Sequence, residues 1–293
     1  METLPFNFLG LEEKYCDYCK SRYAIFPIPY DATTSYRSGT REGPLAIINA
    51  SRQVELFEPL LGEEIHLPGI ATLDPIEPDV NGPINTLDNI FKIAKKTVRD
   101  GKFLIGLGGE HSITQSLVKA HKVKHKKFSV LHIDAHLDMR DIWQNSQFSH
   151  ACVIRRIHEI GIDTVSVGIR NVSQEEFEYL KRNKFTVFTA EQIKTDSSHT
   201  WIEQAILSLE KKVYVTIDID GFDPSIAPGT GTPEPGGLDW YDVNVLLMQL
   251  AKTHEIIGAD IVEVLPIAGQ VTTEFLAAKL IAKIIAITQL QNS

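Results

Sequence analysis

Cysteine is scarce in this chain of 293 residues: Cys16, Cys19 and Cys152 are the full set. So small and odd a number builds no disulfide framework, and a reducing cytoplasm is the expected setting. Cys16 and Cys19 have the spacing of a zinc or redox pair, but no second pair completes four ligands, so they read as local thiols. Basic residues are outnumbered, 29 against 38 acidic ones, for a net charge of −9. A nucleic-acid binder needs a basic face to displace counterions, and this balance argues against one. The one basic run, Lys119 to Lys127, spreads its Lys and His evenly and reads as a solvated helix end. The opening METLPFNFLGLEEKY has no basic stretch followed by an apolar one, so no signal peptide is expected. No apolar run approaches the roughly 20 residues that span a bilayer. The nearest, LAAKLIAKIIAI, is interrupted by Lys279 and Lys283 and reads as an amphipathic helix on the core.

With 43% hydrophobic residues the chain can fill a core. Short β-branched runs predict strands at 23–28, 103–107, 128–133, 164–168, 185–188, 213–217 and 256–264. Amphipathic segments near 43–55, 84–100, 112–120, 149–159, 173–182, 200–210 and 239–253 predict the intervening helices, with a last one from about 271. Continuously apolar strands alternating with helices mean a parallel sheet covered on both faces. Right-handed crossovers make this a three-layer α/β/α fold. Neither linker nor repeat divides it, so 1–293 is read as one domain.

The chemistry gathers where these strands end. The run 128–133 leads into His132-Ile-Asp134-Ala-His136-Leu-Asp138, and VYVTI leads into Asp218-Ile-Asp220, with Asp223 just beyond. FLIGL leads into Gly108-Gly109-Glu110-His111, whose glycines permit a tight turn. Residues two apart on an extended chain point the same way, so Asp134, His136 and Asp138 can converge. Carboxyl ends of strands are where open α/β sheets bind ligands. One such Asp is an ordinary turn or cap residue; four of them with two histidines cannot all be caps. Crowded carboxylates repel unless cations intervene, and two divalent metals would supply +4 against −4. Oxygen and imidazole donors without thiolate favour Mn²⁺ over zinc.

GGEHS (108–112), DAHLD (134–138), DIDGFDP (218–224) and DIVEVLP (260–266) together resemble the blocks of the ureohydrolase family, the arginase and agmatinase group, and GTREGPLAII (39–48) is similar to its N-terminal block. The resemblance implies a three-layer fold around a mainly parallel eight-stranded sheet. It implies two Mn²⁺ per chain, one held by His111, Asp134, Asp138 and Asp218, the other by Asp134, His136, Asp218 and Asp220. Asp134 and Asp218 would then bridge, as a carboxylate can between ions about 3.5–4 Å apart. Glu263 matches the carboxylate that holds the guanidinium, a geometry suited to bidentate pairing. His150, in FSHACVIRR, matches the proton-shuttling histidine. His132 and Asp223 are expected to orient ligands. The family further implies a homo-oligomer, trimer or hexamer.

Arginases of this group are expected to carry Asn two residues after DAHxD, where this chain has Arg140. The form of the His150 block is closer to agmatinases, so a small cationic guanidino substrate is expected, agmatine first, yielding putrescine and urea. Arg140 would then point away or pair with an acid such as Asp141. N1-aminopropylagmatine, guanidino acids and formimino compounds are the alternatives within the group. A silent regulatory homologue would be expected to lack ligands, and none is missing. The proline-rich loop 224–237 is expected to wall the mouth of the site.

Overall fold

The computed structural model describes residues 6–291; residues 1–5, where the segment read for a leader begins, and 292–293 lie outside the described residues. Among the described residues there are ten strands: β1 (Tyr23–Ile28), β2 (Phe57–Glu58), β3 (Glu63–Glu64), β4 (Ile70–Thr72), β5 (Phe103–Gly108), β6 (Ser129–Ile133), β7 (Thr164–Ile169), β8 (Thr186–Thr189), β9 (Lys212–Asp218) and β10 (Glu255–Val262). Eight form one sheet in the order β4-β1-β5-β10-β9-β6-β7-β8, every pairing parallel; β2 and β3 make a separate small hairpin.

Period-two alternation sorts the apolar strands into two cores. Ile25, Ile105, Leu107, Leu131, Ile133, Val215 and Ile217 face one side, under helices Gly43–Ser51, Trp240–Thr253 and Thr272–Leu290. Ala24, Phe26, Leu104, Val130 and Tyr214 face the other, under Pro83–Arg99, Thr114–Lys122 and Val153–Glu159. Both faces are covered, as a parallel sheet requires.

Several expectations need correction. β4, an edge strand of three residues, and the helix Ala190–Thr195 fell below what periodicity can register. Helix Thr272–Leu290 lies on the core as expected, but it is buried over most of its circumference rather than along one stripe, with Lys283 reaching Glu58 at 2.6 Å. In the basic run, His121 is fully buried against Tyr214, while the lysines around it stay exposed. β10 stops at Val262, so Glu263 lies beyond the ladder rather than on the strand.

The sheet order serves the site directly. β5, β10, β9 and β6 are adjacent, with Ile133 level with Ile217 and Val262 level with Asp218. Four sequence blocks separated by up to 152 residues therefore end side by side along one edge of the sheet.

Candidate metal centre

His111 is the innermost member. It follows β5 on a turn through Gly109, where any Cβ would collide with the Tyr30 carbonyl. Thr216 donates its hydroxyl hydrogen to Asp260 at 2.6 Å, so it accepts from the Nε2–H of His111 at 2.9 Å. Tyr214 donates to the same carboxylate at 2.7 Å. The Nδ1 lone pair of His111 is thereby turned toward three oxygens, at 3.2 Å from Asp134, 3.2 Å from Asp138 and 3.3 Å from Asp218. Nδ1 is buried without a hydrogen-bond partner. Burial opposes charge on this ring, but Asp134, Asp138 and Asp218 outweigh it and push His111 well above the histidine range, so Nδ1 calls for a positive partner; a divalent cation in that place would take all four donors as ligands.

Asp134 divides its carboxylate between two groups of donors. Oδ2 faces His111 and accepts from His132 Nε2 at 2.8 Å, while Oδ1 lies 3.5 Å from His136 Nδ1. His136 Nδ1 is also 3.1 Å from Asp220. Asp134, His136 and Asp220 offer donor atoms within 4.8 Å of one another, as do His111, His132 and Asp134. Both ring nitrogens of His132 are engaged, by Asp134 and by Ser166 at 3.0 Å, so its part is to orient Asp134. The electrostatics match this crowding. Burial, then the charges of Asp220 and Asp134, push Asp218 well above the carboxylate range. Burial also opposes charge on Asp134, but His132, His111 and His136 outweigh it and hold that group well below the range.

Asp138 and Glu263 both have positive φ, +51° and +61°, among only six such non-glycine residues described. Backbone in this region is uncommon outside glycine, more so for Glu than for Asp, and marks positions where the side chain's aim matters. Glu263 Oε1 accepts from the His111 N–H at 2.8 Å and lies 3.4 Å from His150 Nδ1. His150 is pushed up to about 9: burial opposes its charge, but Glu263, then Asp138 and Glu110, outweigh it.

A cavity of about 190 Å³ opens above this cluster, bounded by His136, Arg140, Trp143, His150 and Glu263. Arg140 neither points away nor pairs with Asp141. Its guanidinium lies 4.1 Å from the centre of the Trp143 ring, while Asp141 is held by Arg156 at 2.8 Å. Trp143 and Ser146 exchange backbone hydrogen bonds of 3.0 and 2.9 Å across Gln144 and Asn145, both left-handed, so a tight hairpin turn fixes the indole. Asp223 does not orient a site residue: its carboxylate accepts from Ser225, Gly236 and Gly237 and folds the loop 224–237. Of that loop, Thr232 reaches the cavity and bonds Asp220 at 3.3 Å.

The structure thus gathers His111, Asp134, His136, Asp138, His150, Asp218, Asp220 and Glu263 and leaves Asp223 outside. Sequence reading missed Thr216 and Asp260 behind His111, and Trp143 at the rim. Asp260 stands in the DIVEVLP block and was available as a signal; Thr216 sits in mid-strand and offered none.

The profile of the Arginase family matches residues 21–286. The chain belongs to that family. Within it, the chain is 41% identical over 288 residues to an N(1)-aminopropylagmatine ureohydrolase of Synechocystis, covering 96% of this chain and 93% of that one. It is 36% identical to an agmatinase of Pyrococcus horikoshii, with 98% and 99% covered. The crystal structure of an agmatine ureohydrolase of Thermoplasma volcanium superposes with a TM-score of 0.87 at 33% identity, covering 99% and 95%. The all-parallel eight-stranded sheet is the arginase-family fold. The family is metal-dependent, and the His and Asp groups described above are of the kind that hold a metal.

Proposed function

We propose that this chain is a binuclear manganese enzyme that hydrolyses the guanidino group of agmatine or its N1-aminopropyl derivative, releasing urea and the amine. The observation that carries this reading is the buried His111 Nδ1 facing three carboxylate oxygens while Asp134 extends its other oxygen to His136. His111, Asp134, Asp138 and Asp218 would hold one ion; Asp134, His136, Asp218 and Asp220 would hold the other. Hard oxygen donors with imidazole suit Mn²⁺. When bound, the pair would supply Lewis acidity and bring water's pKa toward neutrality.

The chain's own residues do the rest. Glu263 presents a carboxylate to the N–H fork of a guanidinium, a planar bidentate match. His150, charged at neutral pH, holds a proton beside that carboxylate, where it can be passed to the departing nitrogen. Agmatine is the reading drawn from the residues. Identity to the Synechocystis relative favours the N1-aminopropyl derivative as the alternative. Free cysteines agree with a cytoplasmic enzyme, and the family resemblance supports a homo-oligomer. Among the described residues no helix is long and apolar enough to cross a membrane.

The test is urea release by Mn²⁺-loaded protein from agmatine, N1-aminopropylagmatine, 4-guanidinobutyrate and arginine, compared by kcat/KM. The first two are expected to exceed the others. Urea from none of the four overturns the reading.

A further inference from the structure

The segment from Asp31 to Thr40, downstream of β1, plays no part in the ligand set, yet it is closed on itself by Asp31 and fastened to the site through Thr33 and Ser35. Asp31 accepts from the N–H groups of Gly39 at 2.8 Å and Arg41 at 3.3 Å, drawing the two ends of the segment together. Thr33 donates its N–H and its hydroxyl to the two carboxylate oxygens of Glu110, at 2.5 Å each. Glu110 precedes His111 in the chain, so the segment is tied to the same turn that presents the inner donor. Finally, Thr33 Oγ1 accepts from the backbone N–H of His150 at 3.0 Å, and Ser35 Oγ lies 3.1 Å from its Nε2.

An imidazole turns about a broad, roughly two-fold torsion, so its ring needs partners at both ends to keep one face of the site. On the inner side Nδ1 of His150 looks at Glu263, 3.4 Å away. On the outer side the hydroxyl of Ser35 is the hydrogen-bond partner of Nε2 among the described residues. Ser35 is solvent-exposed and its hydroxyl can turn freely, so its placement comes from the Thr33–Glu110 clasp two residues earlier. The charged groups around the ring are Glu263, Asp138 and Glu110.

We propose that Ser35 is a positioning residue for His150, its hydroxyl accepting from Nε2–H and so holding Nδ1 toward Glu263 and the guanidino group. The inference rests on the functional reading above and goes beyond it by assigning a role to the segment that crosses the mouth. A proton donor displaced by a fraction of an ångström loses much of its effect, because the rate depends on near-attack geometry.

The experiment compares Ser35→Ala and Ser35→Thr with the wild-type holoenzyme. Ser35→Ala is expected to lower kcat about tenfold or more, with KM changed less than about twofold and Mn²⁺ content unchanged. Its basic pH limb moves to lower pH, since an acceptor for the charged ring is lost. Ser35→Thr restores most of the rate. A second readout needs no turnover: in NMR of the protein loaded with diamagnetic Mg²⁺ in place of Mn²⁺, the His150 Cε1–H titration moves to lower pH in Ser35→Ala and returns in Ser35→Thr. Wild-type rate and pH profile in Ser35→Ala overturn the proposal, as does a rate loss that tracks metal loss. Failure of the wild type to release urea sinks the functional reading instead, and the NMR titration then decides Ser35: an unmoved His150 overturns its role.

Discussion

Asp260 stands one hydroxyl behind His111: Thr216 donates to Asp260 at 2.6 Å and takes the Nε2–H of His111 at 2.9 Å. The carboxylate therefore fixes which nitrogen of the ring is free, although it touches none of the proposed ligand oxygens. Outer partners of this kind are worth about 10–100-fold in metal affinity. Thr216→Val keeps the shape and removes the relay, so Mn²⁺ affinity is expected to fall by that factor. Chelator competition measures it; unchanged affinity would show that packing alone sets the ring.

Asp134 occurs in both clusters of mutually close donors and, with Asp218, belongs to both proposed ligand sets. Asp134→Asn keeps its volume but halves its ability to serve two cations. Metal analysis after dialysis is expected to show fewer than about two ions per chain, with activity lost in parallel. A variant that keeps both ions and turns over substrate would remove Asp134 from its bridging position.

Glu263 is aimed at the cavity by a left-handed backbone and is not counted among the proposed ligands. Glu263→Gln removes one charge of the pair and sets an NH2 donor against the N–H fork of the guanidinium, so the bidentate ion pair is reduced to a single hydrogen bond. A drop in kcat/KM of about 10–100-fold follows from a loss of roughly 1.5–3 kcal/mol, with both ions retained. Loss of the ions in this variant would put Glu263 in the wrong role.

What was legible in the sequence was local. Asp134, His136 and Asp138 alternate on an extended chain, and Asp218 and Asp220 do likewise, so their convergence follows from strand geometry. Their neighbours were not legible, because the contacts that define them join distant strands. Thr216 meets His111 across 105 residues and Ser35 meets His150 across 115. A hydroxyl in a β-branched strand looks like any other strand residue until the register is known. Arg140 shows the same limit from another side: its partner is an indole three residues away in a stretch that is neither helix nor strand, so no periodicity pairs the two.

The pH dependence follows from His150. Its pKa, about 9, lies above the ordinary histidine value of about 6.5, so the ring is charged through the neutral range and is lost as a donor as pH rises through 9. If it supplies the proton, kcat falls on that alkaline limb. His150→Asn removes the limb and lowers kcat by about 10²–10⁴-fold, the usual worth of a general acid. A limb that persists unchanged in this variant would assign it to another group.

Arg140 is the cation at the mouth, and among the described residues no carboxylate lies within ion-pair distance of it. Its charge opposes a substrate whose far end is an ammonium and favours one that ends in a carboxylate. At a separation of about 7 Å and an effective dielectric between protein and water, the interaction is roughly 1 kcal/mol. The two terms have opposite signs and add in the ratio to roughly 2 kcal/mol, so Arg140→Gln is expected to raise the kcat/KM ratio of agmatine to 4-guanidinobutyrate by about ten- to thirtyfold. Salt should shrink that difference, since the charges sit at an open rim where screening acts over about 10 Å. A ratio that does not move, at low or high salt, would mean that the indole of Trp143 keeps the guanidinium turned from the substrate's path.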